Sequence, residues 1–385
     1  MFVFEVLIYG FFAFVMSYLA KNSLIKNPDG IELDRYLAFA ILFFAIVSGI
    51  RWGVGSDFFS YATQFDTGMA ESNLENRSNE FIWVYFVQLF SASGLHYTIG
   101  MGFVAFIQIL FIYLAFKEYK SILIYIPIVM FGGWFIMSLW GGMRQMIVAC
   151  VFVYISRWII ERKFLKYIIV IWVLHYVHNS ALLLIPVYFI PLKFHLSDKR
   201  KFCLIGFLTC FILGQTPVFS DLINIITNFA QLAGYNDYSE QIANKLSGED
   251  VETRSFGPTM ISYFIICLFS IIYSPILKQR FNSIPYFEIW YNYSFFFSCG
   301  FFLFCNVSHI FIRPFMYFML FLMIIIAMLL QNYKEIERKC SIKYVCLIFF
   351  IWLGLFWTVY RLSNSTEFNY ITYKFFWNHS LYSLK

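Results

Sequence analysis

The motif W-G-G-M-R-Q at residues 140–145 begins a long apolar stretch. Two further polar motifs interrupt this stretch, E-R-K-F-L-K at 161–166 and H-N-S-A-L at 178–182. The basic turn at 161–166 is typical of a cytoplasmic loop, so Arg144 and His178 are expected at the opposite membrane face. Because a charged arginine at membrane depth costs roughly 2.5–3.5 kcal/mol on insertion scales, such groups are candidate functional residues.

The whole chain has the composition of a helical membrane protein. Of its 385 residues, 61% are hydrophobic and 13% are charged, and the mean hydropathy is +0.70. Soluble domains average about 45–50% apolar and about 25% charged residues. The net charge of +6 arises from Lys and Arg grouped between apolar runs, which indicates membrane topology and no nucleic-acid partner. We therefore expect an all-α polytopic membrane protein, with residues 1–385 forming a single integral membrane domain.

The basic residues also orient the predicted spans. They place the N-terminus outside and give about 12 crossings, within a range of roughly 11–14. The predicted segments are about 2–20, 36–50, 97–116, 121–139, 143–160, a hairpin of two short helices at 164–190, 202–219, 258–277, 286–307, 314–332 and 343–360.

Other segments are predicted to lie at the outer face. Residues 81–94 are expected to form a re-entrant or interfacial helix, because a second crossing there would move the next basic loop outside. The acidic loop at 51–80 and the large polar insert at 220–257 are placed outside. The aromatic tail at 361–385 is expected in the membrane interface.

Three arginines fall at the outer face, where the positive-inside rule disfavours them: Arg51, Arg144 and Arg313. The planar donor fork of arginine suits phosphate oxygens. Arg144 follows two glycines at a predicted helix start, where free N–H groups also favour an anion. We expect these arginines to bind a diphosphate or an acidic head group. Snorkelling toward lipid head groups is the alternative, particularly for Arg313.

Two carboxylates accompany these cations. Asp57 lies in R-W-G-V-G-S-D-F-F-S-Y, residues 51–61, one helical turn before Tyr61. It could act as a general base or orient a hydroxyl, and the alternative is a structural Asp–Arg pair. Glu80 precedes an apolar segment, where it could also simply favour a helix N-terminus.

His178 is the remaining ionisable candidate. A neutral imidazole can accept a hydroxyl proton, and the alternative is a hydrogen-bonded structural histidine. His175 lies one helical turn earlier, but no nearby carboxylate or cysteine completes a metal-binding pattern. The eight cysteines form no CxxC pair. We therefore expect no metal and no cofactor.

These motifs occur in a defined order. They are R-x-x-x-G-x-D-x-x-x-Y from Arg51, then Glu80, G-x-R-Q at 142–145, E-R-K-F-L-K at 161–166, H-x-S-A-L-x-x-x-P at 178–186 and a looser R-x-x-x-Y from Arg313. Together they resemble the EpsG/Wzy-type bacterial polysaccharide polymerases. The resemblance covers residues 1–190 well, and the second half mainly by hydropathy.

The resemblance implies a GT-C-like glycosyltransferase, an O-antigen or capsule repeat-unit polymerase of the bacterial inner membrane. Such enzymes serve lipopolysaccharide or capsule biosynthesis. They move the growing glycan from undecaprenyl diphosphate to the non-reducing end of a second lipid-linked repeat unit at the periplasmic face. The expected partners are the lipid-linked donor and acceptor and membrane lipid, and a chain-length-regulating protein is a further candidate.

Charge and resemblance together suggest roles for the candidate residues. The expected catalytic groups are Arg144 and either Asp57 or His178, and the expected diphosphate or sugar contacts are Arg51, Arg144, Gln145, Arg313, Tyr61 and Glu80. Two other functions stay open. A flippase or other transporter would place its charges midway through the bilayer. An O-antigen ligase would share the chemistry but pass the glycan to a lipid A core.

Overall fold

The computed structural model describes residues 2–23, 34–68, 80–190, 194–216, 257–306, 309–332 and 372–378. This part of the chain is almost entirely helical, as the sequence predicts. The predicted span at 343–360, all but the last residue of the insert at 220–257, and residues 69–79 of the loop at 51–80 lie outside the described residues.

The elements follow the predicted order. The helices are α1 Phe2–Asn22, α2 Arg35–Gly49, α3 Phe58–Thr67, α4 Phe81–Ala92, α5 Tyr97–Phe116, α6 Lys120–Leu123, α7 Ile126–Phe131, α8 Trp134–Gly141, α9 Met143–Ile155, α10 Arg157–Ile160, α11 Phe164–His175, α12 Arg200–Gly214, α13 Pro258–Ile272, α14 Ser274–Phe281, α15 Phe287–Phe304, α16 His309–Met316 and α17 Met319–Gln331. Short 3-10 helices at Asn179–Leu184 and Pro186–Phe189 follow α11. Two-residue strands, β1 Arg51–Trp52 and β2 Lys374–Phe375, pair in antiparallel fashion.

Several described helices are suited to a bilayer. Tyr97–Phe116 and Met143–Ile160 are long and apolar enough to cross a membrane, and up to four crossings result if each of two bent helix pairs is one span. Shorter apolar helices accompany them. The all-α polytopic class predicted from composition agrees with this architecture, and the number of crossings stays a prediction.

Two segments predicted as straight spans are bent. The segment predicted at 121–139 bends by 78° between α7 and α8, at the glycine pair Gly132–Gly133. The segment predicted at 258–277 bends by 56° between α13 and α14. A proline stands in the first turn of α14, where it cannot donate an amide hydrogen bond to the preceding turn. Hydropathy alone cannot detect such breaks.

Helix α4 has the length expected of an interfacial or re-entrant segment. Its 12 residues rise about 18 Å, which is short of the ~30 Å hydrocarbon core. The predicted hairpin at 164–190 is likewise interrupted, since α11 ends at His175 and the chain continues in 3-10 turns. Glu80 directly precedes α4, and His178 and Asn179 follow α11.

The predicted single domain contains two compact units, residues 1–192 with 326–385 and residues 193–325. In the first unit, α2 and α5 approach closely because small residues face each other. A side chain at Gly49 would bring a Cβ within 2.5 Å of the Thr98 carbonyl oxygen, and Gly102 faces the Ala45 carbonyl oxygen. Small residues at such spacing allow helix backbones to touch.

The C-terminal segment completes the first unit. β2 pairs with β1, and Tyr373 is buried with its hydroxyl donating to the Val47 carbonyl oxygen at 2.6 Å. Its ring contacts those of Tyr9 and Trp140. Within residues 372–378, the prediction of an interfacial tail is therefore wrong for Tyr373, which lies in the protein core, whereas Trp377 is exposed.

The second unit has an aromatic core and a polar end. The ring of Phe207 contacts those of Phe264 and Phe302. At the polar end, Glu288 accepts a hydrogen bond from Ser197 at 2.5 Å and lies 3.2 Å from the ammonium of Lys278.

Candidate functional site

Arg144 lies in the first turn of α9, two residues after the cap residue Gly142. Its side chain is 14% exposed, and its Nη1 donates to Oε2 of Glu80 at 2.5 Å. The guanidinium also lies 5.9 Å from the ring centre of Tyr61 and 5.8 Å from that of Trp83. Two aromatic rings and a carboxylate therefore fix the position of the charge.

Glu80 connects three separate segments through one carboxylate. Besides binding Arg144 through Oε2, it accepts through Oε1 from Nδ1 of His178 at 3.1 Å and from the backbone amide of Asn179 at 3.0 Å. Its side chain is 6% exposed. Glu80, Arg144, His178 and Asn179 are called the Glu80 cluster below.

The backbone places Glu80 beside His178. The first amide groups of α4, those of Ile82 and Trp83, donate to the Tyr176 carbonyl oxygen at the end of α11. The rings of Phe81 and Tyr176 also lie 4.3 Å apart. The two helix ends thus satisfy each other, which brings the residue before α4 next to the residues after α11.

The surroundings of Glu80 favour its charged form. Burial by itself raises the pKa of this carboxyl group. The His178 hydrogen bond, the charge of Arg144 and the Asn179 amide more than offset burial, and they lower the pKa of Glu80 from 4.5 to about 2. Glu80 is therefore an anion at neutral pH and a poor proton acceptor.

Arg51 is completely buried. It donates to the carbonyl oxygens of Val54 at 3.1 Å and Trp140 at 3.3 Å and to that of Ser48, and its guanidinium lies 5.1 Å from the Trp140 ring. Its donors therefore link the last turns of α2 and α8 to the turn that follows β1.

The turn after Arg51 packs closely against the residues before α9. Gly55 has a φ of +103°, and a Cβ there would lie 2.8 Å from the Trp140 carbonyl oxygen. Glycine is required both for the left-handed conformation and for the close approach. This contact aligns the start of α3 with the start of α9.

The remaining predicted site residues differ in position. Asp57 is exposed at the start of α3, and Tyr61 is buried one turn later against Arg144. Burial raises the pKa of the Tyr61 phenol, and the charge of Arg144 opposes this increase. Gln145 is half-buried beside Arg144. Arg313 is exposed on α16 in the second unit, and its predicted role stays a prediction.

Sequence reasoning did not identify Asn179 or Trp83. Asn179 contributes a backbone amide, which no side-chain pattern reveals. Its Oδ1 is buried and has no hydrogen-bond partner among the described residues. Trp83 lies three residues after Glu80 within an apolar run, and its indole donates to Gln64 at 3.0 Å. Within the described ranges, no group of three His, Cys, Asp or Glu side chains could hold a metal ion.

A comparison with known protein families identifies the family of this chain. The EpsG family model matches residues 34–375, which is most of the chain and includes the whole Glu80 cluster. The chain belongs to the EpsG family. This membership supports a polysaccharide-polymerase role in the broad sense. No curated protein and no solved structure matches the chain.

Within this EpsG-family chain, the matched region starts at the cap of α2 and ends in β2. It therefore contains both the buried Arg51 and the Glu80 cluster, whereas α1 precedes it.

Proposed function

We propose that this protein is a membrane-embedded glycosyltransferase that polymerises polysaccharide repeat units. The growing glycan leaves undecaprenyl diphosphate and joins the non-reducing end of a lipid-linked repeat unit. The reaction takes place at the periplasmic face of the bacterial inner membrane. Membership of the EpsG family supports the polymerase class, and the distribution of basic residues in the sequence supports the outer-face site.

The observation that carries this proposal is the fixed guanidinium of Arg144. In this reaction, negative charge develops on the departing diphosphate, so a preorganised cation lowers the barrier. Arg144 is held by Glu80 and lies beside the rings of Tyr61 and Trp83, at the start of α9. The planar donor fork of an arginine matches phosphate oxygens, which suits Arg144 to contact the diphosphate.

The surroundings of the other predicted diphosphate ligands decide which of them belong to the proposed site. Arg51 is left out of the proposed site, because it is fully buried and its donors serve backbone carbonyl oxygens. Gln145 and Arg313 stay proposed contacts. His178 and Asp57 are the groups proposed to act on the acceptor hydroxyl.

The test uses a strain that lacks the gene and is complemented with variants. Arg144→Ala should lower the polymerisation rate by roughly 10²–10³-fold, the usual effect of losing one preorganised donor. Glycan ladders should then collapse to single or few repeat units. Arg144→Lys should give intermediate ladders, because lysine keeps the charge but not the planar fork.

A matched control is Arg157→Ala. Arg157 also stacks on an aromatic ring, Tyr154 at 4.1 Å, and donates to backbone carbonyl oxygens, but at the other end of the same helical segment. It should retain long chains. Long chains in Arg144→Ala at normal protein level would overturn the proposal. Loss of all glycan from the lipid A core would instead indicate a ligase.

A further inference from the structure

We propose that Glu80 is a positioning residue that orients His178, making Nε2 of His178 the base that accepts the proton of the acceptor hydroxyl. This inference rests on the proposed glycosyl transfer. It assigns Glu80 a role through His178 in place of the substrate contact expected from the sequence.

The hydrogen bonds define the tautomer of His178. An ionised carboxylate accepts hydrogen bonds and donates none. Nδ1 of His178 lies 3.1 Å from Oε1 of Glu80, so Nδ1 must carry the hydrogen. In a neutral imidazole the lone pair then resides on Nε2. The same relation between carboxylate, histidine and reacting hydroxyl operates in hydrolases with a catalytic triad.

Two backbone contacts fix the position of His178. Its amide donates to the Leu174 carbonyl oxygen at 2.9 Å, and its carbonyl oxygen accepts from Ala181 at 3.0 Å. The next amide, that of Asn179, donates to the same Glu80 oxygen that binds the imidazole. The backbone of His178 is thus held on both sides, and its ring is held at Nδ1. The side chain of His178 remains 20% exposed.

Arg144 and Glu80 place the two ends of the reaction near each other. One carboxylate oxygen of Glu80 binds the arginine proposed for the diphosphate, and the other binds the histidine proposed for the acceptor. Asp57, the other candidate base, is exposed at the surface. The described geometry therefore favours His178 over Asp57 as the base.

In the resulting step one bond forms and one breaks. The acceptor hydroxyl oxygen forms a bond to the anomeric carbon of the donor glycan. The bond from that carbon to the diphosphate oxygen breaks, and its electron pair remains on the diphosphate beside Arg144. The hydroxyl proton moves to Nε2 of His178. The resulting imidazolium is stabilised by the Glu80 carboxylate and later releases its proton to water.

The test is a double-mutant cycle on the full-length protein in lipid nanodiscs. The substrate is the lipid-linked repeat unit extracted from a strain that lacks the gene. Glu80→Gln and His178→Ala should each lower kcat by roughly 10²–10⁴-fold, the usual contribution of general base catalysis, with little change in KM. A glutamine at position 80 can still accept the Arg144 hydrogen bond through its amide oxygen. Because Glu80 then acts on the reaction only through His178, the double variant should be no slower than His178→Ala alone. Glu80→Asp, which keeps the charge, should retain more activity than Glu80→Gln.

Chemical rescue provides a second measurement. Added imidazole should restore part of the activity of His178→Ala, and it should fail to do so when Glu80 is also changed to Gln. Losses that multiply in the double variant, or equal rescue with and without the Glu80 carboxylate, would overturn the inference. A higher KM with an unchanged kcat in Glu80→Gln would show that Glu80 contributes to substrate binding. That result would also overturn the inference.

Glu288→Gln is the matched control. Glu288 also lies near a cation and a histidine, Lys278 at 3.2 Å and His195 at 3.6 Å, but in the second unit. This variant should keep wild-type kinetics. If Arg144→Ala and His178→Ala both retain full activity, the proposed function itself fails. If both lose activity while the Glu80→Gln loss adds to that of His178→Ala, this inference alone fails.

Discussion

At the scale of single residues, Glu80 shows how a buried charge is accommodated. Its carboxylate accepts bonds from an arginine, a histidine and a backbone amide. Removing one partner from a buried ion pair leaves the other charge uncompensated, which typically costs about 3–5 kcal/mol. The Glu80 cluster can therefore stabilise this part of the fold as well as take part in the proposed chemistry.

The lowered pKa of Glu80 predicts a specific dependence of stability on pH. A carboxyl group whose pKa is lower in the folded state stabilises the fold fully above its unfolded pKa, here 4.5. That contribution is lost as pH falls from about 4.5 to about 2, and it amounts to about 3 kcal/mol. Thermal unfolding of the wild type and of Glu80→Gln should therefore differ by a constant amount above pH 5. The difference should shrink as pH falls below that value.

Asp198→Asn is the control for this measurement. Asp198 is more than half exposed and pairs with Lys278, so water screens the interaction. Its effect on the unfolding temperature should be small at every pH. A Glu80→Gln difference that stays constant down to pH 2 would contradict the assigned ionisation.

At the scale of helices, the packing of α2 on α5 depends on small residues. The Gly49 Cα faces the backbone of α5, and a Cβ at this position would meet the Thr98 carbonyl oxygen at 2.5 Å. A backbone oxygen cannot move aside as the end of a flexible side chain can. The start of β1, and with it Arg51, follows directly after α2. The position of α2 therefore affects the hydrogen bonds that Arg51 donates to Val54 and Trp140.

Gly49→Ala should consequently force the two helices apart. Overpacking of this kind costs about 1–3 kcal/mol, so the unfolding temperature in detergent should fall. Gly10→Ala is the matched control, because Gly10 lies within α1 and a Cβ there has nothing within 4 Å. Alanine favours helix over glycine by roughly 0.5–1 kcal/mol, so Gly10→Ala should be neutral or stabilising. Equal unfolding temperatures for the two variants would contradict the close contact.

At the scale of the first unit, the segment 372–378 meets α1. Tyr373 lies among the rings of Tyr9, Phe12 and Trp140, and its hydroxyl binds the Val47 carbonyl oxygen. The C-terminal segment thus packs against helices from the start of the chain. Trp140 also stacks on Arg51, so Tyr373 contacts a residue that helps to hold Arg51 in place.

Removing this contact should destabilise the fold markedly. Tyr373→Ala should cost about 3 kcal/mol, since large aromatic side chains in protein cores typically contribute about 3–5 kcal/mol. Trp377→Ala is the control from the same segment. Trp377 is 59% exposed, so its loss should cost less than about 1 kcal/mol. Unfolding temperatures in detergent would distinguish the two, and similar values would show that the tail is not anchored through Tyr373.

Much of the fold could be predicted from the sequence, because a helix that faces lipid must be apolar along its length. The positions of α5 and α9, the short α4 and the interrupted segment after α11 follow from hydropathy and charge. The bends between α7 and α8 and between α13 and α14 do not follow from hydropathy, since an apolar run has the same hydropathy whether straight or broken. The packed tail was missed because an aromatic segment suits both an interface and a protein core.

The sequence by itself determined that this is a helical membrane protein and that Arg144, Glu80 and His178 are unusual ionisable groups in it. The tertiary structure alone decided that these groups are partners. Glu80 and Arg144 are 64 residues apart in the chain, and Glu80 and His178 are 98 apart. No local pattern records such pairing, because it arises when the end of α11 meets the start of α4. Arg51 followed the opposite course: its sequence context suggested a ligand site, and burial directed its donors to backbone carbonyl oxygens.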